Sequence, residues 1–100
     1  MSLYAVQYTY TDDDAGRDEH RPAHRDFLGE LAGEHVLLLC GPYADEGFPG
    51  ALLVLRADSA DEVRSRLADD PFQKLGLVAE VQVREWNMII GARRRALVES

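Results

Sequence analysis

The sequence has one cysteine, Cys40, so no disulfide within the chain can brace the fold, and the chain reads as one built for a reducing compartment, the cytoplasm. Long apolar runs are missing as well. The longest, residues 36–40 and 51–55, hold five residues each, far too few to span a bilayer. No basic start leads into an apolar stretch at the N-terminus, so no secretory signal is expected. Positive charge is in the minority: 11 Lys and Arg face 18 Asp and Glu, for a formal charge of −7. A protein that grips a phosphate backbone needs the opposite balance, so neither nucleic acid nor a membrane is an expected partner. There is no glycine-rich phosphate loop, no Gly-x-Ser-x-Gly elbow and no paired cysteine motif, so nucleotide, flavin and haem are not expected and no cofactor is foreseen.

What is present is ordinary globular material. One hundred residues, 46% hydrophobic and 29% charged, make a single domain with one modest core. Residues 3–10 alternate Tyr4, Val6, Tyr8 and Tyr10 with Leu3, Ala5, Gln7 and Thr9, the period of a strand. The acidic stretch 11–16 then breaks it as a loop. Pro22 suits the first turn of a helix, and Ala23, His24, Phe27, Leu28 and Leu31 mark its apolar face, with Arg21, Arg25, Asp26 and Glu30 pointing away. The helix should stop near Gly33-Glu34. Residues 36–40 read as a buried strand ended by Gly41-Pro42, and 51–56 as its return after a loop rich in Pro and Gly. Ser59 and Glu62 form a capping box for a second helix carrying Ala60, Val63 and Leu67. Asp70-Pro71 caps a further short turn. Leu77, Ala79, Val81 and Val83 alternate with Val78, Glu80, Gln82 and Arg84 as a last strand, and the tail with Arg93, Arg94 and Arg95 fits a short helix.

The order is β-α-β-β-α-β, the split βαβ arrangement: an α+β fold with a four-stranded antiparallel sheet and both helices on one face. The other face needs a cover. A second copy of the chain is the simplest, since two such sheets packed about a two-fold axis close a barrel with a concave interior suited to a small ligand. The expected partners are therefore a second protomer and a small molecule.

His24 stands out because it occupies an apolar stripe where an aliphatic residue is the default. At the N-terminal turn, the helix dipole and burial would both favour a neutral imidazole that accepts protons. The same spacing fits a half-buried histidine at a helix edge. Asp70 could orient His24 and select its tautomer, although Asp before Pro is also a common N-cap. His20 and His24 have the four-residue spacing of two metal ligands on a helix, but no third strong ligand accompanies them and no metal is expected. Cys40 reads as inert packing, and the tyrosines could line a pocket.

Tyr4-Ala5-Val6, residues 21–28 (RPAHRDFL), Gly41-Pro42, Asp70-Pro71-Phe72 and Arg84-Glu85-Trp86 together resemble the YCII-related family, from Leu3 to about Asn87. The resemblance implies a ferredoxin-like protomer that dimerises into an α+β barrel with a His/Asp active site. The family's histidine falls on His24 and the aspartate of its Asp-Pro-Phe motif on Asp70. Tyr8, Gly41, Pro42, Phe72 and Trp86 are the expected substrate-binding residues. Residues 87–100 extend past the usual ending, and nothing carries over to them. The expected function is a cofactor-independent enzyme of isomerase or lyase type, using His24 and Asp70 on a small, cyclic or aromatic substrate. The alternative is a non-catalytic dimeric module that binds a ligand or a partner protein.

Overall fold

The computed structural model describes residues 1–99. Strand β1 (Ser2–Tyr10) is central, and its alternation is realised: Tyr4, Val6, Tyr8 and Tyr10 are all buried, while Gln7 between them is exposed. Helix α1 (Asp14–Gly33) leads to β2 (Leu37–Pro42) and β3 (Gly50–Ala57), then α2 (Ala60–Leu67), the single turn α3 (Pro71–Lys74), β4 (Val78–Trp86) and a short α4 (Arg94–Val98). The strands lie in the order β2-β3-β1-β4, every pair antiparallel. This is the ferredoxin-like α+β fold. The core joins the tyrosine face of β1 to Leu28 and Leu31 of α1, Leu53 and Leu55 of β3, Val63 and Leu67 of α2, and Phe72.

Helix α1 begins about two turns before Pro22, inside the stretch expected to be a loop. Asp13 caps it by accepting from the Gly16 amide at 2.9 Å. Arg17 fastens the added turns from within. It is buried, donates to the Thr11 carbonyl and the Asp14 carboxylate, and lies 5.1 Å from the Tyr10 ring centroid. Pro22 is thus a mid-helix proline, and its missing N–H leaves the Asp18 carbonyl without a helical donor. His24 consequently lies in the middle of the helix, where the macrodipole has faded, so the dipole argument for its neutral form does not apply.

The end of α1 is a Schellman motif. His35 takes the left-handed conformation (φ 61°) and donates to Ala32 O, while Val36 N–H reaches back to Leu31 O. Turn α3 ends in the same way on Gly76 (φ 71°), with Leu77 N–H on Phe72 O, and so launches β4. Ser59 and Glu62 do cap α2: Ser59 Oγ accepts from Glu62 N–H at 3.1 Å, and the Glu62 carboxylate accepts from Asp58 N–H.

Three strand expectations are corrected. Strand β2 continues through Gly41 and Pro42 instead of ending before them, and only its Leu37 is buried. It is an edge strand, which explains both the exposure of Cys40 and the tolerance of Pro42. In β4 a register shift opposite Thr9 and Tyr10 bulges out Ala79, so Val78, Val81 and Val83 meet the core while Ala79 is exposed. Gly50 starts β3 where a Cβ would meet the Tyr8 carbonyl oxygen at 2.3 Å; only glycine lets β3 close on β1 at that point.

The sheet face away from the helices carries Leu3, Ala5, Leu52 and Val54, with Trp86 at one end. Trp86, Leu52 and Leu39 are each 40% or more exposed. The C-terminal segment returns to this end of the molecule, where Arg56 Nη2 donates to the carbonyls of Leu97 and Val98 at 2.9 and 2.7 Å. No helix among the described residues is long and apolar enough to cross a membrane.

Candidate functional site

The turn between α2 and β4 delivers Asp70 to α1. The Leu67 carbonyl accepts the Asp70 amide, and Asp70 in turn caps α3 by accepting from Phe72 N–H at 3.0 Å. Pro71 at the first helical position fits that start. In this position Asp70 is wholly buried, yet its carboxylate is well supplied with donors. His24 Nδ1 lies 2.8 Å from Oδ1 and 3.0 Å from Oδ2, and Tyr8 OH donates to Oδ2 at 2.9 Å. Gln73 Nε2 donates to the Tyr8 hydroxyl at 3.1 Å and fixes its direction. The N-cap role and the histidine contact, alternatives in the sequence, are both performed by the one side chain. Asp70 meets His24 at mid-helix, whereas the sequence places that contact near the start of α1.

The donors fix the tautomer. A carboxylate ringed by an amide N–H and a hydroxyl accepts only, so His24 Nδ1 carries a hydrogen and Nε2 is the nitrogen left to exchange a proton. The Phe72 ring stacks on the imidazole at a centroid distance of 3.8 Å and 3° between planes, and Tyr10 meets Phe72 edge-on at 5.6 Å. The imidazole is held by a bond on one edge and a ring on one face. Nε2 has no protein partner among the described residues, and no buried side-chain nitrogen or oxygen among them lacks one. Nε2 must therefore be reachable from open space.

That space is a cavity of about 520 Å³ between α1, β2, β3 and α3. Its walls are largely apolar, with Leu28, Leu37, Leu53 and Phe72, and Tyr8, Tyr10 and His24 supply polar atoms. It lies on the helix side of the sheet; the concave open face expected to hold a ligand is the opposite one. Of the expected substrate-binding residues, Tyr8, Gly41, Pro42 and Phe72 line the cavity. Trp86 does not: it pairs with Leu3 at the far end of β4. Arg21 and Arg25, expected to point away from the working face of α1, also line it, as does Cys40 on the exposed edge strand. Ala23, expected on the apolar stripe, is exposed.

Burial and the Asp70 charge push the Tyr8 hydroxyl well above the usual tyrosine range, and burial first, then Asp70, raises Tyr10 to about 12. Both are neutral hydrogen-bond donors at physiological pH. Burial raises the Cys40 thiol too, which argues against a ready nucleophile. His20 is part-exposed with Nε2 3.7 Å from Glu19, while His24 Nδ1 is engaged by Asp70. No group of three His, Cys, Asp or Glu among the described residues is placed to hold a metal ion.

Sequence reasoning missed Arg21, Arg25 and Gln73, while Tyr10 lines the cavity as the tyrosines were expected to. The arginines were legible in principle, because Arg21 and Leu28 stand three before and four after His24 on one flank of the helix. Gln73 carried no signal, since only the fold brings it to Tyr8.

Several known proteins are similar to this chain in sequence or in structure. The uncharacterized protein YjpA of Bacillus subtilis is 33% identical over 70 residues, covering 70% of this chain and 79% of that one. Among solved structures, 5-chloro-2-hydroxyhydroquinone dehydrochlorinase (TftG) of Burkholderia phenoliruptrix, in complex with 2,5-dihydroxybenzoquinone, is similar with a TM-score of 0.74 at 28% identity. That match covers 85% of this chain and 93% of the enzyme. SnoaB, a cofactor-independent oxygenase of Streptomyces nogalater, shares the fold alone, with a TM-score of 0.51 at 12% identity over 90% of this chain and 94% of that one. The model of the YCII-related domain matches residues 2–87, strand β1 through the end of β4, with His24 and Asp70 inside that span. The chain belongs to the YCII-related family.

Proposed function

We propose that this protein is a cofactor-independent enzyme that moves a proton on a small organic molecule, with His24 as the acid–base group and Asp70 as its positioning partner. One observation carries the reading: a buried imidazole whose Nδ1 is tied to a carboxylate and whose Nε2 has no protein partner beside an apolar cavity. Nε2 would take a proton from a carbon next to a carbonyl, leaving the electron pair delocalised onto the carbonyl oxygen as an enolate. Asp70 lies against the imidazolium so formed and stabilises it where water is scarce. Returning the proton to another carbon completes an isomerisation; expelling a leaving group completes an elimination. Tyr10, neutral and lining the cavity, is a donor for the developing oxyanion. The 28%-identical dehydrochlorinase, whose name denotes loss of HCl from a hydroxylated ring, supports the elimination class and a cyclic or aromatic substrate.

The working form proposed is a two-fold homodimer closed over the open sheet face, where Leu39, Leu52 and Trp86 stand exposed. A single cysteine without a disulfide fits the reducing cytoplasm.

The test is solvent-deuterium exchange into a panel of cyclic ketones and hydroxyquinones, followed by NMR with wild type and His24→Asn. Asparagine keeps an N–H for Asp70, so the variant should stay folded. Wild type should accelerate exchange into at least one compound by about 100-fold or more, and His24→Asn should lose that acceleration. Full exchange by His24→Asn refutes the assignment. Ligands that bind without exchange would instead favour a non-catalytic binding module.

A further inference from the structure

The polar groups around the cavity have a charge pattern unlike that of the rest of the chain. The protein carries a formal −7, yet no aspartate or glutamate lines the cavity, while Arg21, Arg25 and His24 do. The arginines of α1 show how this arises. Arg17, Arg21 and Arg25 recur every four residues. Arg17 is paired with Asp14, and Arg21 Nη1 lies 2.8 Å from Asp18, in each case with the acid three positions earlier. Three positions before Arg25 stands Pro22, and four after it stands Gly29, so the helix offers it no carboxylate. Among the described residues Arg25 has no ion pair and no side-chain hydrogen bond; Arg84 and Arg93 share that state, but Arg25 alone of the three lines the cavity. Gly29 adds to the room, since a Cβ there would meet nothing within 4 Å.

We propose that the cavity selects a small organic anion, and that Arg25, with Arg21 beside it, holds the ligand's carboxylate or equivalent anionic group at the cavity wall while the apolar body lies against Leu28, Leu53 and Phe72. This rests on the reading of the cavity as the functional site and names the class of molecule it takes. A guanidinium without a carboxylate, next to an apolar chamber, is the arrangement that binds an amphipathic anion through a charge-assisted, often bidentate contact. The Arg25 charge is felt across the space: it draws the Cys40 thiol's acidity back toward normal against the larger effect of burial and that of Asp70. A volume of about 520 Å³ accommodates a one- or two-ring molecule.

The test compares 2-naphthoate with 2-naphthamide, which share a shape and differ in charge. Each is titrated into the full-length protein and read by amide NMR shifts at Leu28, Leu53 and Phe72. Naphthoate should bind about tenfold more tightly than naphthamide, equivalent to about 1.4 kcal/mol. Arg25→Gln should remove most of that advantage and leave naphthamide unchanged. Arg93→Gln, which deletes the same charge from the C-terminal tail, should change neither. Raising NaCl to about 0.5 M should weaken naphthoate alone. Equal affinities for the two probes, or equal effects of Arg25→Gln and Arg93→Gln, overturn the anion site and leave the cavity as a ligand site. No shift at the three cavity residues with either probe overturns both.

Discussion

Replacing Asp70 with asparagine keeps the shape of the side chain and removes its charge, so the consequences follow from the bonds around it. Three donors converge on the carboxylate: His24 Nδ1, Tyr8 OH and Phe72 N–H. Asparagine retains the Oδ1 that accepts from both Phe72 N–H and His24 Nδ1, but turns an amide NH₂ toward the Tyr8 hydroxyl. Tyr8 already accepts from Gln73, so its hydrogen loses its acceptor. The imidazole keeps an acceptor at Nδ1, but the imidazolium formed in the reaction loses the carboxylate charge beside it. Hydrogen bonds to a charged group contribute about 1.5–3 kcal/mol each, so losing the Tyr8 bond and the charge behind the other two costs about 2–4 kcal/mol. At roughly 4–8 °C per kcal/mol for a domain of this size, the melting midpoint should fall by about 8–32 °C. Proton-transfer activity should fall by about 10²-fold or more, the scale of losing one charge stabiliser of the transition state. Thermal unfolding by circular dichroism, beside Asp69→Asn at the exposed neighbouring acid, measures the first effect; deuterium exchange on an identified substrate measures the second. An Asp70→Asn protein that melts within about 1 °C of wild type, or exchanges at full rate, refutes the reasoning.

Pro22→Ala should raise the melting midpoint, because it restores a helical N–H to the Asp18 carbonyl inside α1 where proline costs up to about 3 kcal/mol; a lower midpoint would show that α1 is adapted around the proline. Stability should decline in alkali above about pH 10, since unfolded tyrosines release their protons there while buried Tyr8 and Tyr10 keep theirs in the native state. The stabilisation is complete below the unfolded value and is lost as pH rises through the native one, about 12 for Tyr10, so denaturant midpoints of Tyr10→Phe should fall less steeply between pH 10 and 12. Light scattering at micromolar concentration should give twice the 11.2 kDa chain mass, and Leu52→Glu on the open face should return it to one; a wild-type value of one chain mass removes the proposed dimer.

The fold was legible where period and punctuation agreed. The alternation around Tyr8 fixes β1, the Ser59–Glu62 box starts α2, and Asp70-Pro71 starts α3, because each depends on neighbours in the chain. The start of α1 was hidden because Pro22 offers a strong local helix-start signal, while the tie that extends the helix, Arg17 beneath Tyr10, is tertiary. The bulge at Ala79 was hidden for the same reason: register belongs to a pair of strands, and β4 alone alternates without interruption. At the site, His24 was conspicuous as a polar residue on an apolar stripe, and the resemblance pointed to Asp70. The side of the sheet that holds the cavity could not be read, because the same alternation in β1 is compatible with a ligand on either face. The tyrosine face went to the helices, and the cavity formed where the edge strand β2 leaves α1 uncovered.

The most direct test of a catalytic imidazole held by Asp70 is nitrogen NMR of ¹⁵N-histidine-labelled protein at neutral pH, with His24 assigned by its absence in His24→Asn. The expected spectrum has a protonated, pyrrole-type Nδ1 and a bare, pyridine-type Nε2, and the Nε2 signal should move when a ligand enters the cavity. A proton found on Nε2 with Nδ1 bare, or an Nε2 signal indifferent to every ligand that shifts Leu28 and Phe72, would contradict it.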